Sequence, residues 1–446
     1  MNFIPVGDVK LNALHIMLMS AIANITGAHL TSLINAFKQT QFGLDTLYKF
    51  RRDLEKYIPQ VITPAGARLY IDSGGYSFIK GYIHPDDISK LIACYLHFMI
   101  DEMKSYYRIF SLDLPFSKKY NLYNTKDNIY NSNRFSLLET FRVIEQIPEL
   151  SEKFIFIWQF RLEDTYRLWC KIHDELIDLG YSKLITHRAI GGMVGLKGET
   201  KIIFSPFMAL AYRCFKDYIV TGIYHIPFQL HLLGVYILSD RFMIAYVEKV
   251  FNRYLTQLSI NSGVRITYDS TNYFRTAQYN ARNLLTHSFD NGQLHHYPSV
   301  QELPDHIIKK VYFTDDLYFH IQSEIQRLKD GKKMIEGNSF APLNAFNFIE
   351  EDRFLEDAIE RYGLIEPLFE THDIASFREE TELILDQILL STPHLFGPRF
   401  KVSIMDNMIK LYRLHKWWAK EGANYESLNI LIEEFIGMIG AEGSLK

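Results

Sequence analysis

Short apolar runs alternate with longer amphipathic segments over residues 1–300 of the chain. The amphipathic segments repeat apolar residues at three- and four-residue spacing, which predicts helices that cover a sheet. Because the short runs are apolar throughout, they indicate parallel strands that are buried on both faces. The predicted strands are FIPV, HIMLMS, RLYID, RIFSLD, FIFIWQ, LITHRAIGG, LHLLGV and VRITYD.

Eight strand–helix units over this length predict an α/β fold of the (β/α)8 TIM-barrel type. A doubly wound open sheet is the alternative. Polar residues follow at least five of the runs, and in a barrel those strand ends meet at one mouth, which favours the barrel. Beyond residue 300 only helical patterns occur. We therefore predict a barrel domain over 1–300 and an all-helical C-terminal region over 301–446.

Composition narrows the class of protein without identifying a partner. The chain has 446 residues, 48% hydrophobic, with a net charge of -4, so a nucleic-acid partner would need a local basic surface. Cys94, Cys170 and Cys214 lie far apart, which predicts neither a disulfide framework nor a structural zinc site. The start of the chain lacks a signal-peptide pattern, and the longest apolar stretch is too short to cross a bilayer. We expect a cytoplasmic protein with no membrane partner and cannot assign its oligomeric state.

The polar residues at the strand ends suit a flat heterocyclic ligand. Carboxylate and amide groups can read the edge of a ring, glycines let the backbone approach it, and Tyr76 with Leu233 would clamp its faces. Taken singly, each such residue also has a structural interpretation as a helix cap, a turn or a core residue. Taken together in this order, they favour a binding site. The candidates for this site are Asp72, Ser73, Gly74, Tyr76, Asp113, Gln159, Gly191, Gly192, Leu233, Gly234 and Asp269.

Asp72 and Asp269 remain available for reaction chemistry. Two carboxylates facing an anomeric carbon are the recurring arrangement for cleaving a glycosidic bond, in which one attacks and the other handles protons. Asp269, next to the Ser270 hydroxyl at the end of the last strand, is the candidate nucleophile, which has to stay ionised. A glycosidase acting on free sugars is an alternative, but a pocket with paired glycines, Asp113 and Gln159 favours a base.

An ordered set of motifs resembles the tRNA-guanine transglycosylase superfamily. The segments YIDSGGYSF, FSLDLPF, WQ, AIGGMVG, HLLGV and TYDSTNYF follow the order and approximate spacing of that family over about two-thirds of the chain. They are most similar to the archaeal-like branch and to the virus-encoded DNA-guanine transglycosylases of the DpdA group.

This resemblance implies a function and a role for each candidate. Asp269 would attack C1′ and displace guanine, and Asp72 would serve as general acid and base. Asp113, Gln159 and the backbone of Gly191 and Gly192 would read the purine edge. The incoming base would be a 7-deazaguanine such as preQ0, whose carbon at position 7 makes the exchange effectively one-way.

The departures from the family favour DNA over tRNA as the substrate. The tRNA-modifying members usually carry a cysteine-rich zinc site beyond the last strand, whereas no cysteine follows Cys214 here. His287, His295 and His296 lack a carboxylate or thiolate at suitable spacing, so we expect no metal and no other cofactor. Ser77 replaces the glutamine of the family motif. Action on tRNA and a non-catalytic nucleic-acid-binding subunit on the same barrel remain the alternatives.

A target base inside a duplex has to be flipped out or already unpaired to reach a barrel mouth, and its phosphates need cations at the rim. The candidate phosphate contacts are Arg275, Arg282, Lys197 and Lys201. In the C-terminal region Lys410, Arg413, Lys416 and Lys420 recur around Trp417 and Trp418. We interpret this stripe as a solvated helix face beside core tryptophans, with a phosphate-binding face as the alternative.

Overall fold

The structure is a computed structural model of the chain. It describes residues 3–33, 44–74, 87–114, 126–159, 163–191, 204–235, 237–270, 273, 286–334, 336, 338–397, 399–420 and 424–443. The strands are β1 (Phe3–Pro5), β2 (Ala28–Ser32), β3 (Arg68–Asp72), β4 (Arg108–Phe110), β5 (Phe154–Gln159), β6 (His187–Gly191), β7 (Phe228–Leu232), β8 (Val264–Ser270), β9 (Thr286–Asp290) and β10 (Gln293–Tyr297).

The first eight strands form one parallel sheet in the order β1-β8-β7-β6-β5-β4-β3-β2. A parallel bridge pairs Val6 with Leu30, and the Gly7 N–H donates to the Leu30 carbonyl at 2.9 Å. This bridge links the two ends of the strand order, as a barrel requires and an open sheet does not. The fold is of the (β/α)8 TIM-barrel type with a helical C-terminal region, as predicted.

Fourteen α-helices occur in the described part of the chain, and the last seven follow the barrel strands and the β9–β10 hairpin. They are α1 (Ala13–Thr26), α2 (Leu44–Tyr57), α3 (Ile88–Asp101), α4 (Lys126–Gln146), α5 (Glu163–Asp178), α6 (Phe204–Thr221), α7 (Leu238–Gln257), α8 (Asp305–Val311), α9 (Asp315–Lys329), α10 (Ala341–Arg361), α11 (Glu366–Glu370), α12 (Ile374–Ser391), α13 (Phe400–Ala419) and α14 (Tyr425–Gly443). None of these described helices is long and apolar enough to cross a bilayer.

The second predicted strand is wrong. HIMLMS lies inside α1, which Asn12 caps with its side chain and which Gly27 ends in a left-handed conformation with φ 65. The second strand is Ala28–Ser32, which follows at once and is buried at all five positions. A helix that is apolar on most of its surface has no clear 3.6-residue period, and a short strand containing His and Thr has no clear apolar run. The sequence pattern therefore assigned the wrong segment.

The chain divides into two compact units. Unit 1 comprises Met1–Ile155 and Asp269–Arg353, and unit 2 comprises Phe156–Tyr268 and Phe354–Lys446. Each unit is described separately below.

Unit 1 contains a β9–β10 hairpin that the sequence pattern did not predict. Its turn includes Asn291 at φ 47, a conformation that Asn tolerates better than most residues. Side chains of α10 accept hydrogen bonds from the backbone of β9: the Phe289 N–H donates to Glu350 at 2.7 Å and the His287 N–H to Asn347 at 3.0 Å. The helix thus satisfies backbone donors of β9 that its partner strand does not reach.

Unit 2 contains helices α11–α14, and α14 is anchored there by both apolar and ionic contacts. Leu428, Ile432 and Phe435 have no exposed surface. Arg413 of α13 donates to both carboxylate oxygens of Glu434 at 2.7 and 2.8 Å. This bidentate geometry fixes the position of α14 against α13.

Candidate functional site

Three acidic side chains of unit 1 interact at or just beyond the C-terminal ends of β3, β4 and β8. Asp72 is the last residue of β3, Asp113 follows β4, and Asp269 is the penultimate residue of β8. Asp113 is 3% exposed and Asp269 9%, while Asp72 keeps part of its surface exposed. The sequence analysis singled out all three residues as candidates, and the structure brings them together. Their roles in a reaction stay predictions.

The pKa of the Asp72 carboxyl is raised from its ordinary 3.8 to about 8. Burial is the largest cause, followed by the negative charges of Asp113 and Asp269. Backbone N–H groups of Gly74 and Ser73 donate to the carboxylate and act in the opposite direction. Asp72 therefore holds a proton at neutral pH, as a general acid must.

The DSGG segment has a specific local geometry. Gly74 has φ 83, a left-handed conformation that favours glycine. In this turn the Gly74 N–H points back to the Asp72 carboxyl. Ser73 is 1% exposed and its hydroxyl donates to Asp113 Oδ1 at 2.5 Å. The segment thus supplies the Asp72 carboxyl, a backbone hydrogen bond to it, and a hydroxyl that donates to Asp113.

Two buried residues that the sequence did not single out position the chain around Asp113. Asn133 of α4 accepts from the Leu114 N–H at 2.8 Å and donates to the Leu114 carbonyl at 3.0 Å. The Tyr95 hydroxyl of α3 donates to the Phe110 carbonyl at 2.8 Å. The backbone is therefore fixed on both sides of Asp113. An Asn inside a predicted helix is the sequence signal for this role. Its burial, which distinguishes it from a surface Asn, is not visible in the sequence.

Gln159, Gly191, Leu233 and Gly234 belong to unit 2. A Cβ atom at Gly191 would lie 2.7 Å from Gln159 Nε2, so the glycine makes room for the glutamine side chain. The Leu233 N–H donates to the Ile190 carbonyl at 3.0 Å, and Gly234 follows with φ 82. Gln159, Leu233 and Gly234 are partly exposed. The glycine at the end of β6 is thus explained by close packing, while base recognition by these four residues stays a prediction.

Unit 2 also holds a carboxyl that the sequence analysis missed. Asp240, in the first turn of α7, is 3% exposed, and burial raises its pKa to about 7. Its neighbour Arg241 lies over the ring of Tyr268, with 5.9 Å from the guanidinium carbon to the ring centroid. A Ser-Asp pair at the start of a helix is most simply interpreted as a helix cap. The sequence therefore gives no sign that Asp240 is buried.

Six predicted contacts lie outside the described residues. Their roles stay predictions from the sequence; they are Tyr76, Gly192, Lys197, Lys201, Arg275 and Arg282.

The tryptophans of α13 are packing residues. The Trp417 ring is 6% exposed and its Nε1–H donates to Ser427 Oγ at 2.8 Å. The Trp418 ring stacks on Tyr254 with ring centroids 4.8 Å apart. These contacts agree with the interpretation of core tryptophans beside a solvated stripe.

Two histidines of the hairpin, His287 and His296, contact each other, and His287 also contacts helix α10. His287 Nδ1 lies 2.8 Å from Glu351 Oε1, and the His287 and His296 rings are 5.5 Å apart. In the described ranges no three His, Cys, Asp or Glu side chains form a group with the geometry of a metal site.

Comparison with protein-family models gives no match to this chain, and no curated protein matches it. The likeness to guanine transglycosylases therefore depends on the ordered sequence motifs.

Proposed function

We propose that the protein is a DNA-guanine transglycosylase, which exchanges guanine in DNA for a 7-deazaguanine base through a covalent aspartyl–sugar intermediate. The observation that carries the proposal is the interaction of Asp72, Asp113 and Asp269, with the Asp72 pKa raised to about 8. Base exchange needs one ionised carboxylate and one protonated carboxyl at the same anomeric carbon. A binding scaffold has no use for such a pair.

In the first half-reaction a carboxylate oxygen of Asp269 attacks C1′ of the target nucleotide. The bond from C1′ to N9 breaks, and its electron pair goes to the guanine ring. The Asp72 carboxyl gives its proton to the departing base, so guanine leaves neutral and Asp72 becomes a carboxylate. The negative charge of Asp72 then lies near Asp113 and is unfavourable, which drives Asp72 to take up a proton again.

In the second half-reaction the incoming 7-deazaguanine loses its N9 proton to Asp72. Its N9 attacks C1′, and the bond to Asp269 breaks, so both aspartates return to their starting states. Asp113, which accepts a hydrogen bond from Ser73, would also accept hydrogen bonds from the edge of the base. Carbon at position 7 of the product removes the ring nitrogen that assists departure of guanine, which makes the exchange one-way.

DNA is favoured as the substrate because no cysteine follows Cys214, so the zinc motif usual in the tRNA-modifying enzymes is missing from the sequence. The target nucleotide has to be unpaired or flipped out of the helix. The proposed cellular setting is the cytoplasm, where a virus-encoded enzyme would meet the DNA that it modifies.

The test is incorporation of labelled guanine or preQ0 into duplex DNA, single-stranded DNA and tRNA by the full chain. We expect label in DNA and none in tRNA. Label in tRNA alone would overturn the choice of DNA, and no label in any nucleic acid would overturn base exchange. Asp269→Asn should abolish incorporation without unfolding the protein, whereas Glu55→Gln, at an exposed position of α2, should leave it unchanged.

The pH dependence provides a second test of the same proposal. Asp72 has to be protonated for guanine to leave, so the rate of the first half-reaction should fall about tenfold per pH unit above about 8. A rate that is constant from pH 7 to beyond pH 9 would contradict the role of Asp72 as the acid.

A further inference from the structure

A buried arginine of unit 2 lacks a carboxylate partner. Arg188, the second residue of β6, is 2% exposed. Its Nε and Nη1 groups make no hydrogen bond with any residue that the structure describes. Nor does a carboxylate of the described residues come within ion-pair distance of it. A guanidinium carries its positive charge throughout the physiological pH range, so this charge has to be balanced from somewhere else.

The groups that interact electrostatically with Arg188 do not balance its positive charge. They are the Cys214 thiol and the Tyr218 hydroxyl of α6 and the Tyr425 hydroxyl at the start of α14. Burial raises the pKa of Cys214 to about 12 and also raises the pKa of both tyrosines. All three are therefore neutral near pH 7.

A second buried arginine adds positive charge to the same place. Arg213 is 3% exposed and interacts with both Cys214 and Tyr425, with its guanidinium 5.2 Å from the Tyr425 ring centroid. It donates to Asn429 at 2.7 Å and to the largely exposed Asp174 at 3.4 Å. The enclosed cluster thus holds two guanidinium groups.

One carboxylate is enclosed with them. Asp217 is 6% exposed, and its Oδ2 lies 3.5 Å from His173 Nε2. This Oδ2, His173 Nδ1 and Arg213 Nε all lack a hydrogen-bond partner among the described residues. Asp174 and Asp217 both interact with Arg213, so no described carboxylate is left to pair with Arg188. An uncompensated buried charge costs several kcal/mol.

We propose that this cluster binds a small inorganic anion of halide size, held by the Arg188 guanidinium in the layer formed by β6, α6 and the start of α14. The proposed ion is small because Arg188 and its neighbours Cys214 and Tyr218 are almost fully buried, which excludes a larger anion. The site lies near the N-terminal end of β6, whereas the predicted base contact Gly191 is at the other end of that strand. The anion site is therefore separate from the proposed reaction and stabilises the docking of α14.

The test compares the thermal unfolding midpoint of the full chain in bromide, chloride and isethionate salts at equal ionic strength. An ion that binds only the folded protein raises the midpoint, by a few degrees at about 100-fold excess over its dissociation constant. We expect bromide and chloride to raise the midpoint relative to isethionate, and Arg188→Met to lose that difference. Arg253→Met, at an exposed position of α7, is the matched control and should keep it.

Bromide soaking of crystals gives a direct readout that does not depend on a folded variant. An anomalous peak within hydrogen-bond distance of Arg188 supports the proposal, and the lack of any peak there overturns it. An internal ion pair between Arg188 and Asp217 is the competing explanation. In that case Asp217→Asn would lower the midpoint as much as Arg188→Met, the halide salts would have no specific effect, and the proposal would be wrong.

Discussion

Replacing Asp72 by Asn should stabilise the protein while abolishing its proposed activity. The pKa of Asp72 is about 8 in the folded chain and 3.8 ordinarily, so the folded state binds this proton more tightly than the unfolded state. The contribution of Asp72 to stability is fully present below pH 3.8, and it is lost as the pH rises to about 8. Because Asn cannot ionise, the variant does not lose this stability as the pH rises.

The size of the effect follows from the shift. About three pH units separate 3.8 from neutral pH, and each unit corresponds to 1.36 kcal/mol, which gives an upper value of about 4 kcal/mol at pH 7. Because Asp72 is partly exposed and the site can take up water, solvent reduces this value. We expect Asp72→Asn to raise the free energy of unfolding by about 1–3 kcal/mol at pH 8 and by much less at pH 4.5.

The assay is urea unfolding of the wild-type chain and the variant at both pH values, followed by circular dichroism. Glu55→Gln serves as the control, because it removes an exposed carboxylate from the same unit and should show no such pH-dependent gain. A variant that is less stable than wild type at pH 8, or whose advantage is equal at both pH values, would refute the electrostatic account of Asp72.

Three further substitutions test a predicted base contact and the surroundings of Asp113. Gly191→Ala places a Cβ atom 2.7 Å from Gln159 Nε2, so the glutamine has to move; we expect a higher KM for the incoming base with an unchanged unfolding midpoint. Ser73→Ala removes the donor to Asp113, and we expect slower exchange and a loss of about 1–3 kcal/mol in stability, from kinetics and urea unfolding together. Asn133→Ala frees the backbone that follows Asp113, and it should raise KM for the base more than it lowers kcat; an unchanged KM would contradict its positioning role.

The sequence pattern was sufficient where burial and chemistry repeat from strand to strand. Seven of the eight barrel strands overlap their predicted runs, because strands buried on both faces leave continuous apolar runs. The carboxylates were found because parallel strands of a barrel place their ends at one mouth. The sequence alone therefore assigns Asp72 and Asp113 to a common site.

The sequence pattern did not predict secondary structure or residue roles that depend on neighbours distant in the sequence. The α1 segment is apolar on most of its surface, so its pattern resembles that of a buried strand. The β9–β10 hairpin gives no clear strand pattern, because backbone groups of β9 bond to side chains of α10, which is distant in the sequence. Asn133 and Arg188 are ordinary polar residues in the sequence. Both are buried in the structure. Asn133 then fixes the backbone beside Asp113, and Arg188 carries a charge that no described carboxylate balances.

Covalent capture at Asp269 tests base exchange most directly. The full chain is incubated with a guanine-containing DNA oligonucleotide, denatured rapidly and digested, and the peptides are analysed by mass spectrometry. We predict a nucleotide linked to the peptide that contains Asp269, lost in Asp269→Asn and discharged when excess free guanine is added before denaturation. Guanine exchange that proceeds with no adduct on that peptide, or with the adduct on another residue, would contradict Asp269 as the nucleophile.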